Sequence, residues 1–205
     1  TCDGNYKMTV NLQLQPQYQA LILNGANNNV HSFQLRRGRV IFSGHVFDPN
    51  LTFKFQYEAV GGRDSMTREG EVRANTLRDA FISYKFNDYA IMTTGQTKVL
   101  FNREELTSST KLQFVGRSIV NEVFNLGRDL GLWLQGAAFE DHLEYGVYVS
   151  NEGNGQNTSN FNTELLFGGR ADWNIFGRPH EFTMSDVKNS EDVVMTVGLA
   201  ANFNR

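Results

Sequence analysis

Arg36, Arg37 and Arg39 place three guanidinium groups within four positions. A guanidinium presents a planar fork of N–H donors that meets an oxyanion with two parallel hydrogen bonds, whereas a lysine ammonium acts as a point charge. Such a cluster can hold an anion or stand as solvated charge on a surface, and the local sequence leaves both readings open. Other candidates for chemistry are weaker. The histidines are His31, His45, His142 and His180, and none accompanies a nucleophile motif of the G-x-S-x-G type. Glu140, Asp141 and His142 are adjacent, but the chemistry of a tight turn accounts for them. SNEGNGQN, from residue 150, is loosely like a calcium loop without EF-hand spacing. No metal, cofactor or catalytic residue is expected. Cys2 stands alone, so it forms no disulfide within the chain.

The elements that must position the arginines are strands. In LTFKFQYEAV, Leu51, Phe53, Phe55, Tyr57 and Ala59 share one face, and Thr52, Lys54, Gln56 and Glu58 share the other. This period of two is the mark of a half-buried strand. Val10, Leu12 and Leu14 likewise oppose Asn11, Gln13 and Gln15. Leu130, Leu132 and Leu134 oppose Trp133 and Gln135, while Leu143, Tyr145, Val147 and Val149 line up on one side. Near the end, Val193, Met195, Val197, Leu199, Ala201 and Phe203 alternate with small or polar residues. Nine or ten strands follow, over 6–22, 31–47, 51–60, 76–87, 89–101, 129–140, 143–150, 161–176 and 193–203.

The second strand changes parity. Phe33 and Leu35 are odd, whereas Val40, Phe42 and Val46 are even. A bulge near Arg36–Arg37–Gly38 reconciles them and turns two or three of Arg36, Arg37 and Arg39 to the polar face.

The links alternate in length. FDPN, FNDY and EDH are tight, whereas GGRDSMTREGEVRAN and GRPHEFTMSDVKNSED are long. That is the signature of a meander with turns at one end and functional loops at the other. Strands near ten residues with aromatics toward their ends suit a tilted bilayer crossing. A mean hydropathy of -0.40 excludes a helical membrane protein but not a barrel, where alternate residues alone face lipid. No apolar run reaches the length of a transmembrane helix. No signal peptide is visible. The net charge of -3 gives no pointer to nucleic acid. A soluble β-sandwich shares the same periodicity, and sequons at Asn50 and Asn157 would suit a secreted binding module.

One stretch does not alternate. Within FNREELTSSTKLQFVGRSIVNEVFNLGRDLGLWLQG, residues 101–136, a polar piece with a TSST cap or turn cluster precedes Phe114, Ile119, Val120, Val123 and Phe124 at near-helical spacing. The expectation is a short helix whose apolar side packs on the inner wall of a barrel and narrows the pore.

This stretch resembles the corresponding segment of the phosphate-selective porin O/P family of Gram-negative outer membranes. FQLRRGRVIFSGHVFDPNLTFKFQYE resembles its early double-arginine hairpin, and LRDAFISYKFNDYAIMTTGQTKVLF its approach to the constriction loop. NGQNTSNFNTELLFGGRADWNIFGRP resembles a later hairpin. The likeness is colinear over about 31–205 and weaker at the N-terminal strand.

The resemblance implies an all-β, antiparallel transmembrane β-barrel of about sixteen strands with an inward loop over about 102–128. Residues 1–205 then form one porin domain, read as the N-terminal part of a longer barrel. The implied function is an outer-membrane porin for small solutes, preferring anions and phosphate among them. The implied partners are the lipid bilayer, lipopolysaccharide, small anions and two further copies in a homotrimer, with no nucleic acid. Carried over residue by residue, the anion path falls on Arg36, Arg37, Asp79 and Lys111, with Lys98, Arg117 and Arg39 as additions. Asp79 would orient neighbouring arginines and ease release of the anion. A porin-like barrel with a structural role in an envelope assembly is a further reading.

Overall fold

The computed structural model describes residues 4–22, 29–60, 76–151, 164–177, 183–184 and 193–204. Nine strands form one antiparallel sheet in which every strand pairs with its neighbours in sequence. They are β1 (Lys7–Leu21), β2 (Val30–Val46), β3 (Asp48–Glu58), β4 (Thr76–Asn87), β5 (Ala90–Lys98), β6 (Arg128–Ala138), β7 (Leu143–Ser150), β8 (Leu166–Phe176) and β9 (Met195–Asn204). Two short helices, α1 (Arg103–Leu106) and α2 (Ile119–Phe124), lie between β5 and β6. The sheet is open, with β1 and β9 at its edges. Among the described residues, no helix is long and apolar enough to cross a membrane, which leaves strands unaddressed. The long link at 61–75, most of 178–192, Cys2, Asn157 and His180 lie outside the described residues.

The two faces of the sheet are inverted relative to a water-soluble protein. Gln56, Glu58, Asp79, Ser83, Thr93, Asp129 and Asp172 are buried. Leu12, Leu14, Ile82, Leu132, Leu134, Val147, Val197 and Leu199 are exposed. Alternation places these sets on opposite sides of the same strands. The polar side is covered by the β5–β6 insert, while the apolar side is covered by nothing among the described residues. Contiguous apolar surface on this scale marks contact with lipid or with another apolar face.

Aromatic residues mark the ends of the strands. Tyr6, Phe47, Phe86, Tyr89, Phe139, Trp173 and Phe176 are all exposed and all lie at the end of the tight turns. Tyr18 and Phe33 pair across β1 and β2 toward the other end, and Phe167 stacks on Phe203 across β8 and β9.

The β2 irregularity falls where the parity change requires it. Gln15 pairs with Arg37 and Pro16 with Leu35, which leaves Arg36 as the extra residue. A second bulge occurs in β4, where Gln56 pairs with Asp79 and Tyr57 with Leu77, leaving Arg78 as the extra residue. Gln96, buried in β5, donates to the carbonyls of Leu77 (2.7 Å) and Arg78 (2.8 Å). It thereby satisfies backbone groups at a bulge, where ladder pairing is disrupted.

A compact apolar cluster sits where the insert leaves and rejoins the sheet. Val99, Trp133, Tyr148 and Leu166 are buried together, with Leu100, Phe101 and Leu126 packed against them. The fifth strand, expected over 89–101, ends at Lys98 because residues 99–101 turn into this cluster.

Candidate functional site

The insert folds back over the polar face of the sheet. Ser109 accepts a hydrogen bond from Gln13 of β1 (3.3 Å) and another from Nη1 of Arg39 in β2 (2.7 Å). Val115 offers its carbonyl to Nη1 of Arg37 (3.3 Å). Arg170 of β8 donates Nη1 to the carbonyl of Phe101 (2.7 Å) while its other nitrogens hold Asp172 through two contacts of 2.6 and 2.5 Å. The segment is thus tied, on this one face, to strands early and late in the sheet order.

Local sequence explains its two helices. Asn102 caps α1 by accepting from the Glu104 amide (2.8 Å), and Ser118 caps α2 by accepting from the Asn121 amide (3.1 Å). The Glu104 carboxylate also takes the amide (2.7 Å) and hydroxyl (2.5 Å) of Ser118, so α2 hangs from α1.

The orientation of α2 differs from the sequence expectation. Phe114, Ile119, Val120, Val123 and Phe124 are exposed, and Asn121 is the buried residue of the helix. The reason is the polarity of the surface beneath. Asn121 donates to Glu105 Oε2 (3.3 Å), itself paired with Arg117, so the polar edge of the helix turns to the polar network and the apolar edge turns away.

Between insert and sheet lies a cavity of about 530 Å³. Arg39, Lys54, Arg78, Lys98, Arg117 and Arg128 line it, with Asp79 as the acid in the lining. Arg39 pairs with Glu58, and Arg117 with Glu105 (3.1 Å). Asp79 holds Lys54 (2.7 Å) on one oxygen and Arg128 (2.6 Å) on the other, and Arg128 also approaches Glu105 (3.8 Å). A chain of alternating charge therefore runs Lys54–Asp79–Arg128–Glu105–Arg117, from the wall into the insert.

The seven residues singled out in the sequence divide by position. Arg36, the bulged residue, is half-buried and donates to Gln17 (3.2 Å). Arg37 is buried and donates to Gln15 as well as to Val115. Arg39, Asp79, Lys98 and Arg117 surround the cavity. Lys111 is half-buried in the insert outside the cavity lining, and its carbonyl accepts from the Met184 amide (2.9 Å). The arginine that Asp79 holds is Arg128, whereas Arg39 of the 36–39 cluster pairs with Glu58. Cross-strand register decides this, because Asp79 faces Gln56 in β3 while Arg39 faces Glu58.

Lys54, Arg78, Arg128 and Arg170 are not among the residues singled out in the sequence, whereas Glu58 and Glu105 stand there as acids able to oppose the basic groups, as they do against Arg39 and Arg117. Lys54 and Glu58 had a signal, since both lie on the fully polar face of LTFKFQYEAV. Arg78 stands beside Asp79 in LRDAF, but the bulge that turns it into the cavity has no local mark.

A family model described as phosphate-selective porin O and P matches residues 7–192. No curated protein matches the chain.

Proposed function

The chain belongs to the phosphate-selective porin O and P family, and from that premise we propose that it forms a water-filled channel in the outer membrane of Gram-negative bacteria. The observation that carries this reading is the inversion of burial across one sheet: polar side chains covered by the insert, aliphatic side chains exposed on the reverse. A bilayer tolerates that reverse face, and water does not. In the proposed channel the nine strands belong to a larger barrel of about sixteen, because unpaired backbone at the edges of β1 and β9 is costly in lipid. The insert over about 102–128 is the constriction, and the assembly is a homotrimer among lipopolysaccharide. A porin family is a channel family, and no catalytic constellation enters the reading.

The channel prefers small anions, phosphate among them. Its charge is local and not the chain's net -3. Six cations line the cavity, and among the described residues the carboxylates Glu58, Asp79 and Glu105 are paired with members of that set. Basic rings at a constriction favour anions. Arg36, Arg37, Arg39, Asp79 and Lys111 are proposed as the residues that tune passage. No specific observation favours a soluble sandwich, since among the described residues no second sheet packs on the apolar face.

The test is single-channel conductance of the purified protein in a planar bilayer, with reversal potential under a salt gradient. Steady openings with an anion-favouring potential are expected. Folded protein that opens no channel overturns the pore, and a cation-favouring potential overturns the anion preference.

A further inference from the structure

Two of the cations around the cavity are turned toward the insert's own backbone. Lys98 Nζ donates to the carbonyls of Glu105 (2.6 Å), Leu106 (3.1 Å) and Thr107 (3.2 Å). An ammonium has three N–H donors, so these three acceptors match its capacity. Arg117 donates Nε to the Glu104 carbonyl (3.2 Å) and Nη2 to the carbonyls of Glu105 (3.4 Å) and Thr107 (3.0 Å). The same guanidinium holds the Glu105 carboxylate. The carbonyls of residues 104–107 are those that a four-residue helix leaves unpaired at its C-terminus, where positive charge is also favoured.

We infer that Lys98 and Arg117 are positioning residues, Lys98 clamping α1 to the wall and Arg117 locking α1 to the segment before α2, that together set the aperture of the channel, instead of ligands that pass the anion along. The inference rests on the pore reading for its consequence, but not for its geometry. Lys98 is the last residue of β5, so the clamp fixes the insert directly to a wall strand. Glu105 extends the attachment through Arg128 to β6, and Asp79 and Lys54 extend it to β4 and β3. Because Glu104 holds the first turn of α2, freeing α1 frees both helices. An anion that bound Lys98 would have to displace three carbonyls, and the displacement would release the constriction.

The test uses a nitroxide spin label at Val120→Cys, an exposed position of α2, in a Cys2→Ser background, on the purified protein in detergent. In the parent the label reports a constrained backbone. Lys98→Met is expected to shorten its rotational correlation time several-fold and to add flickering to the single-channel current, while Lys98→Arg restores much of the constraint. Arg117→Gln mobilises the label in the same way and serves if Lys98→Met does not fold. A spectrum unchanged by both substitutions overturns the clamp, whatever the reversal potential does. Label mobility is read without any channel, so absent conductance with a mobilised label removes the pore reading and leaves the clamp standing.

Discussion

Arg39 and Glu58 face each other directly across β2 and β3 and form an ion pair in which both side chains are almost fully buried, at 4% and 1% exposure. The pair also joins two other features of the site. Glu58 accepts from the Gly38 amide (2.9 Å), two residues past the bulge at Arg36, and Arg39 donates to Ser109 of the insert. One cross-strand contact thus connects the bulged strand, its neighbour and the β5–β6 insert.

Removing one partner takes the buried counter-charge from the other, a loss of about 3–5 kcal/mol. Glu58→Leu is therefore expected to lower the thermal unfolding temperature of the detergent-solubilised protein markedly. The double variant Arg39→Met/Glu58→Leu recovers most of the loss. A silent single variant would show that water reaches the pair and screens it.

Leu132 lies near the middle of β6 on the exposed apolar face. Leu132→Lys should cost about 2–4 kcal/mol if that face meets the bilayer midplane. The readout is the urea midpoint for folding into lipid vesicles. A protein whose apolar face meets water would tolerate the lysine and gain solubility, which is the opposite result.

Trp133 is fully buried beneath the insert, with its ring 6.4 Å from that of Tyr148. Trp133→Ala should destabilise the fold by about 3–5 kcal/mol through the cavity it leaves. Because Leu100, Phe101 and Leu126 rest on the same cluster, the variant should also expose the insert to added protease. Loss of stability without new cleavage would separate the cluster from the seating of the insert.

Arg37→Ala and Lys111→Ala should each weaken the preference for anions. A unit charge at contact distance in water is worth about 1 kcal/mol, a roughly fivefold change in relative permeability. Asp79→Asn should act in the other direction, since it removes the carboxylate that Lys54 and Arg128 share. Reversal potentials under a salt gradient read all three, and unchanged potentials in Arg37→Ala and Lys111→Ala would remove both from the anion path.

The strands were legible because their signal is local. LTFKFQYEAV states its two faces residue by residue, and β3 carries that alternation without interruption. The bulge in β2 was legible too, because the change of parity from Phe33 and Leu35 to Val40 and Phe42 requires an inserted residue between them, which the register shows to be one. The bulge in β4 was not, because Arg78 interrupts no apolar pattern. The polar character of one face was readable, but which cation on it meets which acid was not.

By itself, the sequence determined a strand meander, its tight and long links, the non-alternating insert and the basic cluster at 36–39. Each depends on neighbours within a few positions, where backbone geometry alone sets the period. The tertiary structure decided that Asp79 holds Lys54 and Arg128, that Lys98 and Arg117 hold the turn after α1, and that α2 turns Asn121 inward and its apolar side out. Those outcomes depend on pairing register and on the path of the insert across the sheet. Register joins residues tens of positions apart, and a buried charge takes whichever partner that register brings within reach.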